Sequence, residues 1–178
     1  GGCAPKTTPS PRLTSLALHR PSLLAGIGSA ADEWQADVLT AGRGRLLLNC
    51  CRQSGKSTTS AGLAVVRAVL DPGSTILVVS PSQRQAAELL ARARPMLMWT
   101  GARITKSSVL TIELSNGSRI IALPGTERTV RGSTADLVII DEAPRVLNAL
   151  AHALPPTRPP TNGPPHATSP AWHARAWA

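Results

Sequence analysis

The 178-residue chain is long enough for one domain with a real core, or for a smaller domain with extended flanks. It has no Phe or Tyr and four Trp, so any core is built from Leu, Val, Ile and Ala. The formal charge of +9 is spread unevenly: Lys6, Arg12, Arg20, Arg158 and Arg175 lie in acid-free flanks, and residues 32–146 carry 14 basic and 10 acidic side chains. So mild a surplus does not separate a nucleic-acid binder from an ordinary enzyme.

No apolar run approaches the length of about 20 residues needed to span a bilayer, and the apolar stretches near Leu16 and Leu23 are too short for a signal peptide. Cys3, Cys50 and Cys51 lack metal-ligand spacing, and adjacent cysteines bridge only with strain. We read the thiols as reduced and the location as cytoplasmic.

Residues 1–30 are rich in Pro, Ser, Gly and Thr and read as a disordered or loosely packed segment. An ordered domain is expected over 31–150. It opens with a short helix carrying Trp34, Val38 and Leu39 at helical spacing, with Asp32 and Glu33 at its positive end. Leu46-Leu47-Leu48 reads as a buried strand, and Ala61, Leu63, Ala64, Val65, Ala68 and Val69 as a buried helix stopped by Asp71-Pro72-Gly73. The continuous apolar run Thr75–Ser80 predicts a strand covered on both faces, and a helix follows from Pro81-Ser82 to Pro95. Leu110, Ile112 and Leu114 alternate with polar partners, Asn116-Gly117 supplies the positive φ values of a tight turn, and residues 119–123 return as a hairpin. Leu137-Val138-Ile139-Ile140 is a further buried strand, and a short helix is expected from Pro144 to Leu154. Residues 151–170 hold seven prolines, so 151–178 reads as a Pro-rich disordered tail.

Between the first strand and the first long helix stands Cys50-Cys51-Arg52-Gln53-Ser54-Gly55-Lys56-Ser57-Thr58. This is a phosphate loop with Cys50 where the common pattern has glycine. Its backbone N–H groups would face a polyphosphate, Lys56 would reach the terminal phosphates, and the Ser57 hydroxyl would ligate Mg2+. Asp141-Glu142 ends an apolar strand downstream, as the second half of an ATPase site requires. Asp141 would hold Mg2+ and Glu142 would deprotonate the attacking water. The expected fold is α/β of the P-loop NTPase type, a mostly parallel sheet flanked by helices, with a β-hairpin insertion and disordered termini.

Residues 51–58 also resemble the modified phosphate loop of the large terminase subunits of tailed bacteriophages. Trp34-Gln35, residues 79–85 and the run from Asn116 to Ala143 are similar to segments of the same family, over about 32–146. The resemblance implies an ATP-driven motor that packages double-stranded DNA, with a small terminase subunit, a portal and other copies of itself as partners and no membrane. It implies nucleotide contacts at Gln35, Arg52, Gln53, Ser54, Gly55, Lys56, Ser57 and Thr58. In that scheme Gln35 bonds the adenine edge and Arg52 meets the γ-phosphate as a catalytic arginine in cis. Arg131 would contact nucleotide or DNA, or else be a solvated loop residue.

The sequence also departs from that family. Beyond Val146 there is neither a coupling motif nor any Asp or Glu, so no metal-dependent nuclease activity is expected. Two alternatives therefore stand beside the motor: a truncated remnant that at most binds nucleotide, and a helicase-related P-loop ATPase.

Overall fold

The computed structural model describes residues 11–42, 44–51, 53–124 and 134–143. In chain order these form α1 (Pro11–Leu18), α2 (Ser22–Gly26), α3 (Glu33–Thr40), α4 (Lys56–Leu70), β1 (Thr75–Ser80), α5 (Gln83–Thr100), β2 (Ile104–Ser107), β3 (Thr111–Leu114), β4 (Arg119–Pro124) and β5 (Leu137–Ile140). The fold is α/β, with a five-stranded mixed sheet in the order β2-β3-β4-β1-β5. β1 is central and pairs in parallel with β4 and β5, while β3 pairs antiparallel with β2 and β4.

Strand alternation puts Ile76, Val78, Ile120, Ala122 and Ile139 on one face, in one apolar cluster with side chains of α4 and α5. α4 contacts β1 and β5, α5 contacts β4 and β1, and the two helices pack on each other. Burial of these aliphatic side chains contributes about 1.5–3 kcal/mol apiece.

The direction of α4 is set at its C-terminal end. Only residues 71–74 separate α4 from β1, so a helix packed on that strand must run antiparallel to it. The β3–β4 turn fixes this arrangement by serving the last carbonyls of α4. Asn116 Nδ2 donates to Ala68 O at 2.9 Å, and Ser118 Oγ donates to Asp71 O at 3.1 Å. That turn differs from the expected tight one. Gly117 alone takes a positive φ, of 84°, and its N–H donates to Leu114 O at 3.0 Å, so the loop is longer and Asn116 is free to reach the helix.

Three further expectations fail here for identifiable reasons. Residues 11–26, expected to be loose, form α1 and α2, with Leu16, Leu23 and Leu24 wholly buried. Arg12 donates to Trp99 O at 3.1 Å near the end of α5 and Arg20 donates to Leu39 O at 3.4 Å near the end of α3, so these flank charges serve helix C-termini. Gly26 lies against the Trp99 indole, where a Cβ would come within 2.1 Å. Pro95 does not stop α5, because Ala91, whose carbonyl loses its donor, is exposed to water while Met96 and Leu97 continue the buried face.

The run Leu46-Leu47-Leu48 joins no strand, and Leu46 and Leu47 are 44% and 76% exposed. Apolarity alone does not supply a neighbouring strand to pair with. β2 has no apolar alternation to announce it, its residues being mostly polar and exposed, as suits an edge strand carrying Lys106. The expected helix over Pro144 to Leu154, the Pro-rich tail and Arg131 lie outside the described residues.

Leu24→Ala should lower unfolding free energy by about 2–5 kcal/mol in urea titration, the cost of a cavity between α2 and its neighbours. Asn116→Ala, which strips a donor from the end of α4, should cost about 1–2 kcal/mol in the same measurement.

Candidate nucleotide site

The antiparallel setting of α4 decides what lies at its other end. Fifteen helical residues rise about 22 Å, close to the span of about 20 Å of the six-residue β1. The first turn of α4 therefore lies at the carboxyl ends of β1 and β5. The helix begins at Lys56, its N-cap is Gly55 and no side chain caps it, so its first N–H groups are left for another acceptor.

The loop ahead of it is bent by left-handed backbone at Gln53, φ 64°, and Gly55, φ 82°. Such reversals converge successive N–H groups into an anion-sized concavity. The Gly55 carbonyl is turned into the helix, where it accepts from Thr59 N at 2.9 Å and Thr59 Oγ1 at 3.0 Å. Lys56, Ser57 and Thr58 are half-buried in the first turn, Gln53 is exposed, and the Ser54 hydroxyl is buried with no hydrogen-bond partner.

At the strand ends, Asp141 N donates to Val79 O at 2.8 Å, carrying the β1–β5 ladder one residue beyond β5. That register sets Asp141 across from Ser80. Glu142 follows with left-handed backbone, φ 52°, and its N–H donates to Asp141 Oδ1 at 3.1 Å. Both residues are half-buried, and Glu142 Oε2 is out of contact with solvent. One end of the sheet thus carries both the positive helix terminus with Lys56 and the acids Asp141 and Glu142.

The residues fit a magnesium-bound polyphosphate. Ser57 and Asp141 are oxygen donors, which suit a hard cation that takes its remaining ligands from phosphate and water. Among the described residues no cluster of three or more His, Cys, Asp or Glu could hold a metal ion. The orphaned Ser54 hydroxyl in the loop adds a polar group in want of a partner.

Of the residues predicted from the sequence, Gly55, Lys56, Ser57, Thr58, Asp141 and Glu142 lie at this end of the fold, with Gln53 and Ser54 in the loop leading to it. Arg52 lies outside the described residues. Gln35 is buried between α3 and the loop, on protein groups. Ser80, which no sequence motif singles out, closes β1 at the same end. Its hydroxyl is wholly buried without a partner, and the available signal was a polar residue closing an apolar strand beside the acid-bearing one.

The family model for the helicase domain of RNA cytidine acetyltransferase NAT10/TcmA matches residues 38–158, more than half the chain and both halves of the site. The chain belongs to the NAT10/TcmA helicase-domain family. A curated relative, tRNA(Met) cytidine acetyltransferase TmcA of Haloferax volcanii, is 33% identical over 121 residues, covering 67% of this chain and 15% of the relative. The chain therefore corresponds to a small part of that protein. Among solved structures, the large terminase ATPase domain of Thermus phage P74-26 superposes with a TM-score of 0.64 at 20% identity, over 75% of this chain and 61% of that domain.

The terminase likeness thus extends to the architecture, and the sequence match places the NAT10/TcmA-family chain among helicase domains. Gln35 precedes the matched residues. No helix among the described residues is long and apolar enough to cross a membrane.

Gly55→Ala should test the loop geometry. A Cβ there would sit 2.6 Å from Gln35 Nε2 on backbone at φ +82°, and left-handed backbone costs a non-glycine residue about 1–2 kcal/mol. Thermal denaturation should show that loss, with weaker polyphosphate binding by calorimetry.

Proposed function

We propose that this NAT10/TcmA-family chain is a helicase-related P-loop ATPase domain that binds and hydrolyses ATP with Mg2+ and couples the cycle to a nucleic acid. One observation carries the reading: the antiparallel α4 brings the Gly55-Lys56-Ser57 terminus to the strand ends that bear Asp141 and Glu142. The N–H groups of the loop and first helical turn would bind the phosphates, and Lys56 would neutralise the terminal ones. Ser57 and Asp141 would hold Mg2+, which when bound draws charge from the β- and γ-phosphate oxygens. Glu142 would take the proton of the attacking water, and Arg52, two residues before Ser54, would meet charge developing on the γ-phosphate.

The relative's name points to tRNA(Met), so we assign RNA as the nucleic acid. A second reading, a terminase-type motor on double-stranded DNA with a small subunit and portal, is favoured by Arg52-Gln53-Ser54-Gly55-Lys56 and by the terminase-like architecture.

Lys56→Ala should weaken Mg-ATP binding about 10- to 100-fold, the worth of a charged hydrogen bond. Glu142→Gln should leave binding intact and slow turnover about 10²–10⁴-fold, as removal of a general base does. Turnover raised more by RNA than by double-stranded DNA supports the helicase-related assignment, and the opposite order supports the terminase motor. Binding without turnover in the parent would identify a non-catalytic remnant.

A further inference from the structure

Gln35 is 6% exposed, and both ends of its amide are engaged. Oε1 accepts from Asp32 N at 3.0 Å, completing the capping box of α3, and Nε2 donates to Ser54 O at 3.4 Å, a long contact. The partners fix the orientation of the amide, since a backbone N–H requires the oxygen and a carbonyl requires the nitrogen. Nε2 also occupies the space where a Cβ of residue 55 would lie, 2.6 Å from that position. An amide so committed cannot read a base edge without abandoning a helix cap and a loop carbonyl.

We infer that Gln35 is a positioning residue for the phosphate loop: it ties the Ser54 carbonyl to the start of α3 and thereby aims the following N–H groups at the phosphates. The inference rests on the nucleotide reading of the site and changes the part Gln35 plays in it, from base recognition to loop geometry. α3 is a firm anchor for such a tie. Leu39 packs on Gly62 of α4, whose added Cβ would stand 3.2 Å from Leu39 Cδ2, and Arg20 donates to Leu39 O. With Nε2 holding Ser54 O, the Ser54–Gly55 peptide keeps one orientation and the left-handed Gly55 follows from it. Without that hold, the loop must be ordered by the ligand, and that cost falls on every ligand bearing phosphates.

The test is equilibrium binding of ATP, GTP and inorganic tripolyphosphate, each with Mg2+, to the full chain and to Gln35→Glu and Gln35→Ala. The Glu variant retains an acceptor for Asp32 N and so keeps the α3 cap, while placing a carboxylate oxygen against the Ser54 carbonyl. Thermal melts of the ligand-free proteins establish that it is folded. Both variants should bind all three ligands more weakly by a common factor of about ten, the worth of one hydrogen bond with its buried partner left unmet. The ATP-to-GTP ratio should not move. Loss confined to ATP, with tripolyphosphate binding unchanged, would overturn the inference in favour of adenine recognition. Unchanged binding of all three in a folded Gln35→Glu protein would also overturn it and leave Gln35 as a helix cap alone. If the parent binds none of the three, the nucleotide reading itself fails, and the role of Gln35 with it.

Discussion

The placement of α4 is the constraint on which the rest of the structure depends. A four-residue connection forces the helix back along β1, and the β3–β4 turn locks its far end through Asn116 and Ser118. Matched helix and strand lengths then carry the helix N-terminus to the carboxyl ends of the parallel strands. In open parallel sheets this is where ligands bind, because helix termini and strand-end side chains converge there. A hairpin turn far from Lys56 in sequence thus helps decide where that lysine stands.

The parts of the fold legible in the sequence are those whose signals are local. Thr75–Ser80 and Leu137–Ile140 are strands because uninterrupted β-branched and aliphatic runs of that length bury both faces. α4 follows from its apolar spacing and from the Asp71-Pro72-Gly73 stop. What was illegible depended on tertiary partners. α1 and α2 lie in a stretch rich in Pro, Ser, Gly and Thr, yet three leucines reach the core and Arg12 and Arg20 find carbonyls at the ends of other helices. Leu46-Leu47-Leu48 shows the reverse, an apolar run for which the described strands offer no pairing.

The site divides in the same way. Gly55-Lys56-Ser57 and Asp141-Glu142 declare themselves because phosphate and magnesium chemistry demands those residue types at a helix start and a strand end. Ser80 does not, since register alone places it, and Gln35, which the terminase resemblance singles out, does not reveal in the sequence that its amide is held by Asp32 and Ser54. The family comparison adds a further lesson. The loop's Arg-Gln-Ser-Gly-Lys sequence resembles terminases and the fold superposes on a terminase ATPase domain, whereas the matching family model is of a helicase domain.

Three residues around the candidate site, Gln53, Gly55 and Glu142, hold left-handed backbone, and two of them have side chains that disfavour it. Elsewhere among the described residues, positive φ falls only on glycine. The domain is locally frustrated where its proposed chemistry lies. Selection for thermal tolerance alone would drift towards glycine at 53 and 142, and a redesign for stability alone would do the same. Either route would loosen the geometry that aims the Glu142 carboxylate, so a hardier version of this protein is a poor place to look for a faster one.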